Sequence, residues 1–250
     1  MIRMPVTALA LAATLAAAAP AAAQRVEERV DRTIAVQPGG TLTLKTFSGE
    51  VRITGTDRSE VVIRAVRRAT RERLDRIQLE IESSGNDVRI EANRRPGRSR
   101  DNENNNVVET DFEIEVPRQY NLDLTTFSAP VVASGISGRH EIGGFSSSVR
   151  LTDVTGPIEA RTFSGTIRIE AREWRDGDAL DVKTFSGDIE LRLPEGARAD
   201  LEFNSFSGDL TSDLPLVLQS RRGRNVRASM NGGGTRMELR TFSGDATIRR

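Results

Sequence analysis

Few residues in this sequence are placed to do chemistry. His140 is the single histidine, so a catalytic triad or a metal site that depends on histidine would have to use it. In the repeat described below, His140 occupies a column that elsewhere holds residues such as Leu122 and Ile158, which predicts a half-buried structural side chain. No serine stands in a Gly-x-Ser-x-Gly elbow. The sequence therefore predicts no catalytic residue.

Four carboxylates stand at equivalent places after tight turns. They are Glu50, Asp188, Asp209 and Asp245, each three residues after a phenylalanine. Stacked like charges repel unless solvent or a cation lies between them, but aspartate is also a common turn residue. The Gly-Gly-x-Gly-x-Asp start of calcium-binding solenoid repeats is absent. We therefore interpret these carboxylates as solvated turn residues and predict no metal site and no cofactor.

Seven phenylalanines form the most regular aromatic set. They are Phe47, Phe127, Phe145, Phe163, Phe185, Phe206 and Phe242. If they face outward, they form an aromatic platform suited to sugars or apolar polymers, and if they face inward, they form a ladder at the corner of a core. Inward and outward residues alternate along both strands, but this alternation shifts by one residue somewhere in the turn. The phenylalanine fits the alternation of the second strand. We therefore expect the rings to face the core.

Trp174 and Tyr120 are the only tryptophan and tyrosine. Trp174 lies just before an Asp176-Gly177 turn, where it either caps a core or contacts a ligand, and the sequence leaves both readings open. A polysaccharide hydrolase or lyase on a β-helix is an alternative, because such enzymes can work with clustered carboxylates alone. The sequence offers no acidic cluster outside the turn positions. We assign no ligand-binding residue.

These residues belong to a repeat of seven copies. The copies are LTLKTFSGEVRI, LDLTTFSAPVVA, HEIGGFSSSVRL, IEARTFSGTIRI, LDVKTFSGDIEL, LEFNSFSGDLTS and MELRTFSGDATI. Serine follows the phenylalanine in every copy, and glycine comes next in five, as expected for a tight turn. Apolar residues alternate with polar ones on both sides. Each copy is therefore predicted to be a strand, a turn and a strand.

The spacing of the copies predicts an all-β fold of the β-solenoid, or β-helix-like, class. Between Phe127 and Phe206 the copies follow one another at 18 to 22 residues, which suits one coil of two short strands. Stacked coils pair with their neighbours and bury one continuous core. An immunoglobulin-like sandwich is the alternative, but it gives no reason for one turn motif to recur seven times.

Departures from the spacing locate the insertions. Residues 25–120 are predicted to hold one coil, a short helix around 70–78 with Leu74 and Ile77 on one face, a hairpin through 84–87 and a polar loop at 94–106. Residues 121–250 are predicted to form the regular coils. The last copy, at Phe242–Arg250, would leave an exposed solenoid edge that could pair with a second chain.

The first residues have the layout of a secretory signal. Arg3 precedes an Ala/Leu-rich run that closes on Ala21-Ala22-Ala23. We predict a signal peptide at 1–23, cleavage near Ala23-Gln24, and a single mature domain at 24–250 in the periplasm or at the cell surface, with no transmembrane segment. The chain has no cysteine and balances 36 basic against 36 acidic residues, which argues against disulfides and against binding dominated by nucleic-acid phosphates.

The serial T-F-S-G-D-I-x-L copies, the segment EIEVPRQYNLDLTTFS and the stretch RERLDRIQLEIESSGNDVRIEA resemble the bacterial putative-adhesin family of exported domains of unknown function, which is related to putative auto-transporter adhesin head domains. The resemblance runs from about Val36 to Arg250. It implies a repeat fold without a catalytic motif. The expected function is a non-enzymatic structural or adhesin-like module of the cell envelope that binds a polymer or protein still to be identified. A signalling partner that binds through the exposed last copy is a further alternative.

Overall fold

The computed structural model describes residues 25–94 and 107–250. The predicted signal peptide and all but the first residue of the predicted polar loop lie outside these residues. The N-terminal part contains β1 (Arg25–Ala35), β2 (Thr41–Ser48), β3 (Val51–Thr56), β4 (Glu60–Thr70), α1 (Arg71–Arg76), β5 (Gln78–Ser84), β6 (Asp87–Arg94) and β7 (Glu109–Pro117). The helix and the β5–β6 hairpin stand where the sequence predicts them, and Leu74 and Ile77 are buried.

Except for one hairpin, the remaining strands follow the repeat. They are β8 (Asn121–Ser128), β9 (Val131–Ser134), β10 (His140–Gly144), β11 (Val149–Val154), β12 (Ile158–Ser164), β13 (Ile167–Ala171), β14 (Leu180–Ser186), β15 (Ile189–Arg192), β16 (Ala199–Ser205), β17 (Leu210–Ser212), β18 (Leu216–Arg222), β19 (Asn225–Met230), β20 (Thr235–Ser243) and β21 (Ala246–Arg249). Each copy thus contributes two strands joined at its Phe-Ser turn. The prediction of an all-β fold with one short helix is confirmed.

The strands form two large sheets. Sheet A has the order β1-β4-β7-β3-β9-β11-β13-β15-β21-β17, and sheet B has the order β18-β19-β16-β20-β14-β12-β10-β8-β2-β6-β5. The two strands of each copy lie in different sheets, and equivalent strands of neighbouring copies pair in parallel. Antiparallel pairs occur towards the ends, at β1–β4–β7, β5–β6 and β16–β19–β18. The parallel pairing separates this fold from the antiparallel immunoglobulin-like sandwich.

One hydrophobic core lies between the sheets. In the first copy, Leu42 and Leu44 of sheet B and Val51 and Ile53 of sheet A are all buried in it. In the inner strands every second residue points inward, because successive side chains of a strand alternate between its faces. Burying such a side chain stabilises the fold by about 1.5–3 kcal/mol. The alternation in the sequence therefore accounts for both sheets at once.

The last copy in the sequence does not lie at the end of the stack. Strand β20 pairs with β14 on one side and β16 on the other, and β21 lies between β15 and β17. After β16 the chain forms the β18–β19 hairpin on the outer edge of β16, and it then returns to fill the inner edge. The prediction of an exposed edge at Phe242–Arg250 is therefore wrong, because that copy has neighbours on both sides.

Candidate binding surface

The seven phenylalanines form a continuous stack on the outer face of sheet B. The order of the rings along this phenylalanine ladder is Phe47, Phe127, Phe145, Phe163, Phe185, Phe242 and Phe206. Neighbouring ring centroids lie 4.5–5.0 Å apart, and the planes differ by at most 14°. Six of the side chains are 40–47% exposed, and Phe206, at the end, is 74% exposed. The prediction that the rings face the core is wrong.

The position of the phase shift explains this outward orientation. The shift from one strand to the next falls after the phenylalanine, at the Ser-Gly turn, so the ring keeps the phase of the first strand. In that phase the inward position belongs to the preceding residue, which is a buried threonine in five copies: Thr46, Thr126, Thr162, Thr184 and Thr241. The position of the turn glycine was the available signal. It comes two residues after the ring, and a strand that runs up to that turn keeps its phase through the phenylalanine.

The threonine hydroxyls reach the turn of the neighbouring copy. Thr184 Oγ1 lies 3.4 Å from the Gly165 carbonyl oxygen, and Thr241 Oγ1 lies 3.5 Å from that of Gly187. Thr162 Oγ1 donates to the Ser147 carbonyl at 3.0 Å. Thr46 Oγ1 is buried without a hydrogen-bond partner in the described part of the chain. The hydroxyls therefore hold adjacent turns together, except at the first copy.

The two kinds of threonine should respond differently to valine, which has nearly the same shape. We expect Thr184→Val to lower the free energy of unfolding by about 1 kcal/mol, because it leaves a carbonyl with one bond fewer. Thr46→Val should leave this free energy unchanged or raise it by up to about 1 kcal/mol, because it removes a buried unsatisfied hydroxyl. Chemical denaturation of both variants measures the difference. Equal losses in the two variants would contradict this account.

The copy at Phe145 departs from the motif and compensates for the departure. Gly144 replaces the buried threonine, and Ser147 is buried where other copies have the turn glycine. Ser147 Oγ accepts a hydrogen bond from Thr126 Oγ1 at 2.9 Å and from the Ala129 amide at 3.2 Å. A Cβ atom on Gly144 would lie 2.8 Å from that of Ser147. Ser147 therefore supplies the missing hydroxyl, and Gly144 makes room for it.

The turn carboxylates bond to backbone amides. The Asp245 amide donates to Asp188 Oδ1 at 3.0 Å, and the Asp209 amide donates to Asp245 Oδ1 at 2.9 Å. Asp209 also pairs with Arg224, and Glu50 with Arg52 at 2.7 Å. These carboxylates run in a line along the turns instead of converging on one groove. The described residues contain no group of three or more His, Asp or Glu side chains that could hold a metal ion.

The three singled-out residues His140, Trp174 and Tyr120 have structural positions. His140 is fully buried, and burial lowers its pKa to about 4. Trp174 is half-buried against the core, and its Nε1 donates to the Arg198 carbonyl at 2.9 Å, which favours the capping role. Tyr120 is buried and donates to the Asn86 carbonyl, and burial with the nearby Asp87 raises the pKa of Tyr120 to about 12.

Charged columns run beside the phenylalanine ladder on the same face. Two residues before the ring stand Lys45, Arg161, Lys183 and Arg240, and two residues earlier stand mostly acidic side chains. Many of these charges are paired, as in Lys183–Asp181 at 2.7 Å and Arg161–Asp181 at 3.3 Å. Most charges in these two columns are thus neutralised by ion pairs, some of them with arginines of other positions. The ladder is left as the apolar stripe of this face.

Fold and surface together define an all-β repeat protein that presents an aromatic stripe to solvent. No helix in residues 25–94 and 107–250 is long and apolar enough to cross a membrane. The profile of the Toastrack DUF4097 family matches residues 120–249. The chain belongs to this family.

One solved structure shows the same fold at low sequence identity. A putative cell adhesion protein from Clostridium sporogenes is 12% identical, with a TM-score of 0.53 over 89% of this chain and 99% of that one. A putative adhesin from Bacteroides fragilis is 10% identical, with a TM-score of 0.44 over 89% and 96% of the two chains. A comparison with curated proteins finds no match.

Proposed function

We propose that this chain is an exported, non-enzymatic, adhesin-like binding module of the cell envelope, and that the phenylalanine ladder is its contact surface. In this proposal the signal peptide of residues 1–23 is removed, and residues 24–250 form one β-solenoid domain whose coils are the copies of the repeat. The domain acts in the periplasm or at the cell surface. Its partner is an envelope or extracellular polymer or protein.

The observation that carries the proposal is the exposure of all seven rings. Contiguous exposed apolar surface is rare on soluble proteins and marks interaction sites. The ladder extends over six ring spacings of 4.5–5.0 Å, or roughly 30 Å at the spacing of paired strands. The inward position beside each ring is already filled by threonine or its substitute, so the core does not need the rings. Their placement on one line is suited to an extended partner.

Phe163→Ser tests the contact surface. We expect this variant to bind a cell-envelope polymer or extracellular protein array at least about tenfold more weakly, because it breaks the apolar stripe at its centre. Val217→Ser is the matched control, since Val217 is 67% exposed on β18 and lies outside the ladder. A turnover assay on the same polymers runs beside the binding array.

The outcomes separate the parts of the proposal. Wild-type binding that survives in Val217→Ser and falls in Phe163→Ser supports the ladder as contact surface. Equal binding by wild type and Phe163→Ser contradicts that role. Cleavage of any polymer by the wild-type protein contradicts the non-enzymatic part.

A further inference from the structure

A groove runs beside one end of the phenylalanine ladder. It has a volume of about 530 Å³ and a mostly apolar lining. The rings of Phe47, Phe127 and Phe145 form one wall, and the groove crosses the strands at Thr125 and Gly143. Arg161 of β12 stands at one end, and Lys45 of β2 stands near the other, beside Glu91 of β6. Strands β12 and β2 are three inter-strand spacings apart, which is about 14 Å.

Gly143 keeps the groove open, although the fold does not require a glycine at this position. It lies in register between Arg161 and Thr125, in a column that carries a lysine or an arginine in four other copies. A Cβ atom on Gly143 would meet nothing closer than the Leu124 carbonyl oxygen, 3.9 Å away, and its φ does not require glycine. Gly144, by contrast, is required by the packing of Ser147. The opening over Gly143 is therefore available to a ligand.

The chemistry of the groove selects an occupant with few polar groups along its length. The backbone amides and carbonyls of β8, β10 and β12 pair with one another in the sheet, so the middle of the groove offers a peptide or a sugar few hydrogen-bond partners. Burying polar groups without partners carries a cost. The stacked rings bury their faces against each other and present their edges. Sugars stack on ring faces, which this wall offers only at Phe47, the first ring of the stack. An acyl chain meets both conditions.

The charges at one end select an anionic head. Lys45 is exposed and makes no ion pair among the described residues, whereas Arg161 pairs with Glu159 and Asp181. Glu91 lies opposite Lys45, but its carboxylate is 3.9 Å from Arg89. Asn93 also lines this end, and its Nδ2 has no hydrogen-bond partner in residues 25–94 and 107–250. A carboxylate or phosphate at this end would meet an unpaired cation.

We propose that this groove binds a single-chain anionic amphiphile. The acyl chain lies over Gly143 against the edges of Phe47, Phe127 and Phe145, and the anionic head pairs with Lys45. This inference rests on the proposed function in one respect, since it places the ligand against part of the same ladder. A free fatty acid and the acyl chain of an anionic envelope lipid share this chemistry.

Calorimetric titration of the purified protein with dodecanoate and with dodecanol tests the inference. We expect dodecanoate to bind more tightly than dodecanol. Gly143→Val should weaken both ligands at least about tenfold by filling the groove, and Lys45→Gln should weaken dodecanoate alone. Asn204→Val is the matched control, since Asn204 stands in the same column on β16, far from the groove, and it should change neither. Thermal unfolding checks that all variants fold.

Two results would overturn the inference: dodecanoate binding that Gly143→Val leaves unchanged, or wild-type binding of dodecanol as tight as that of dodecanoate. Vesicles with and without anionic lipid then distinguish a lipid head from a free acid. Phe163 does not line the groove, so the two proposals fail separately. Loss of array binding in Phe163→Ser together with unchanged dodecanoate binding in Gly143→Val leaves the proposed function and removes the groove ligand. Unchanged array binding in Phe163→Ser together with weakened dodecanoate binding in Gly143→Val leaves the groove ligand and removes the proposed contact surface.

Discussion

Gly187→Ala is expected to lower the free energy of unfolding by about 3–5 kcal/mol. Gly187 has a positive φ of 155°, and a Cβ atom there would overlap the carbonyl oxygen of Gly165 in the neighbouring copy. The obstacle is backbone rather than a flexible side chain, so relief requires the two turns to move apart. Such a movement would disturb the hydrogen bond from the Gly165 amide to the Ser186 carbonyl, which measures 3.1 Å. Urea denaturation measures the loss.

Gly177→Ala is the matched control. Gly177 also has a positive φ, of 99°, but a Cβ atom there would meet no atom within 4 Å. This variant carries the conformational cost alone, about 1 kcal/mol, so the difference between the variants isolates the close approach of the turns. If the two variants lose the same free energy, steric contact between neighbouring turns does not explain the recurring glycine.

The His140→Leu variant is expected to lose less free energy of unfolding in acid than the wild-type protein does. The ring of His140 is buried in register between Leu122 and Ile158. Burial lowers its pKa to about 4, and the backbone of Thr155 and Ile136 offsets only part of this shift. Neither ring nitrogen makes a hydrogen bond of good geometry within the described residues. The folded protein therefore holds the neutral ring.

The sign of the pH dependence follows from these two pKa values. The folded pKa lies below the unfolded value of 6.5, so the unfolded chain takes up a proton first as the pH falls. Stability is full above about pH 6.5 and declines by about 1.4 kcal/mol per pH unit, to a loss of about 3 kcal/mol near pH 4. Glu173, Glu190 and Glu202, whose pKa values are lowered by side-chain hydrogen bonds, add losses at lower pH.

Denaturation of wild type and His140→Leu from pH 7.5 to pH 4 isolates the histidine, because the glutamates are common to both proteins. The stability difference should change by about 3 kcal/mol across this range, in favour of leucine at low pH. Because His140 is the single histidine, its imidazole NMR signals titrate without overlap. Parallel pH profiles for the two proteins, or a titration near pH 6.5 in the folded state, would contradict the account.

The fold could be predicted from the sequence where local patterns decide it. Alternation around each Phe-Ser turn specifies two strands with one inward face, and the spacing of Leu74 and Ile77 specifies a helical face. Strand β1 was not predicted, since it is an edge strand with mostly exposed side chains and a weak alternation. The order of the copies in the two sheets could not be predicted either. Nearly identical motifs pair equally well with one another, so the motif does not encode which copy is whose neighbour.

The candidate site could be predicted in composition but not in orientation. The phenylalanine column is plain in the sequence, yet its direction depends on whether the phase shifts before or after the ring. That point is settled by the pairing between copies, which continues past the ring to the following serine, as at Ser48 with Ser128 and Ser164 with Ser186. The groove at Gly143 depends on the side chains of three neighbouring strands. Such neighbours become known only when the strands are paired.

The placement of β20 and β21 bears on how the chain reaches its native state. Both neighbours of this pair of strands, the copies of Phe185 and Phe206, are synthesised before it. If those two copies pair with each other directly, as adjacent repeats of an array can, β20 and β21 can no longer insert between them. Productive folding therefore requires that the two copies stay unpaired until residues 235–249 are available. A chain that becomes available from its N-terminus onward would complete both sheets only once residues 235–249 are available, and a mispaired but native-like state would be its main competitor.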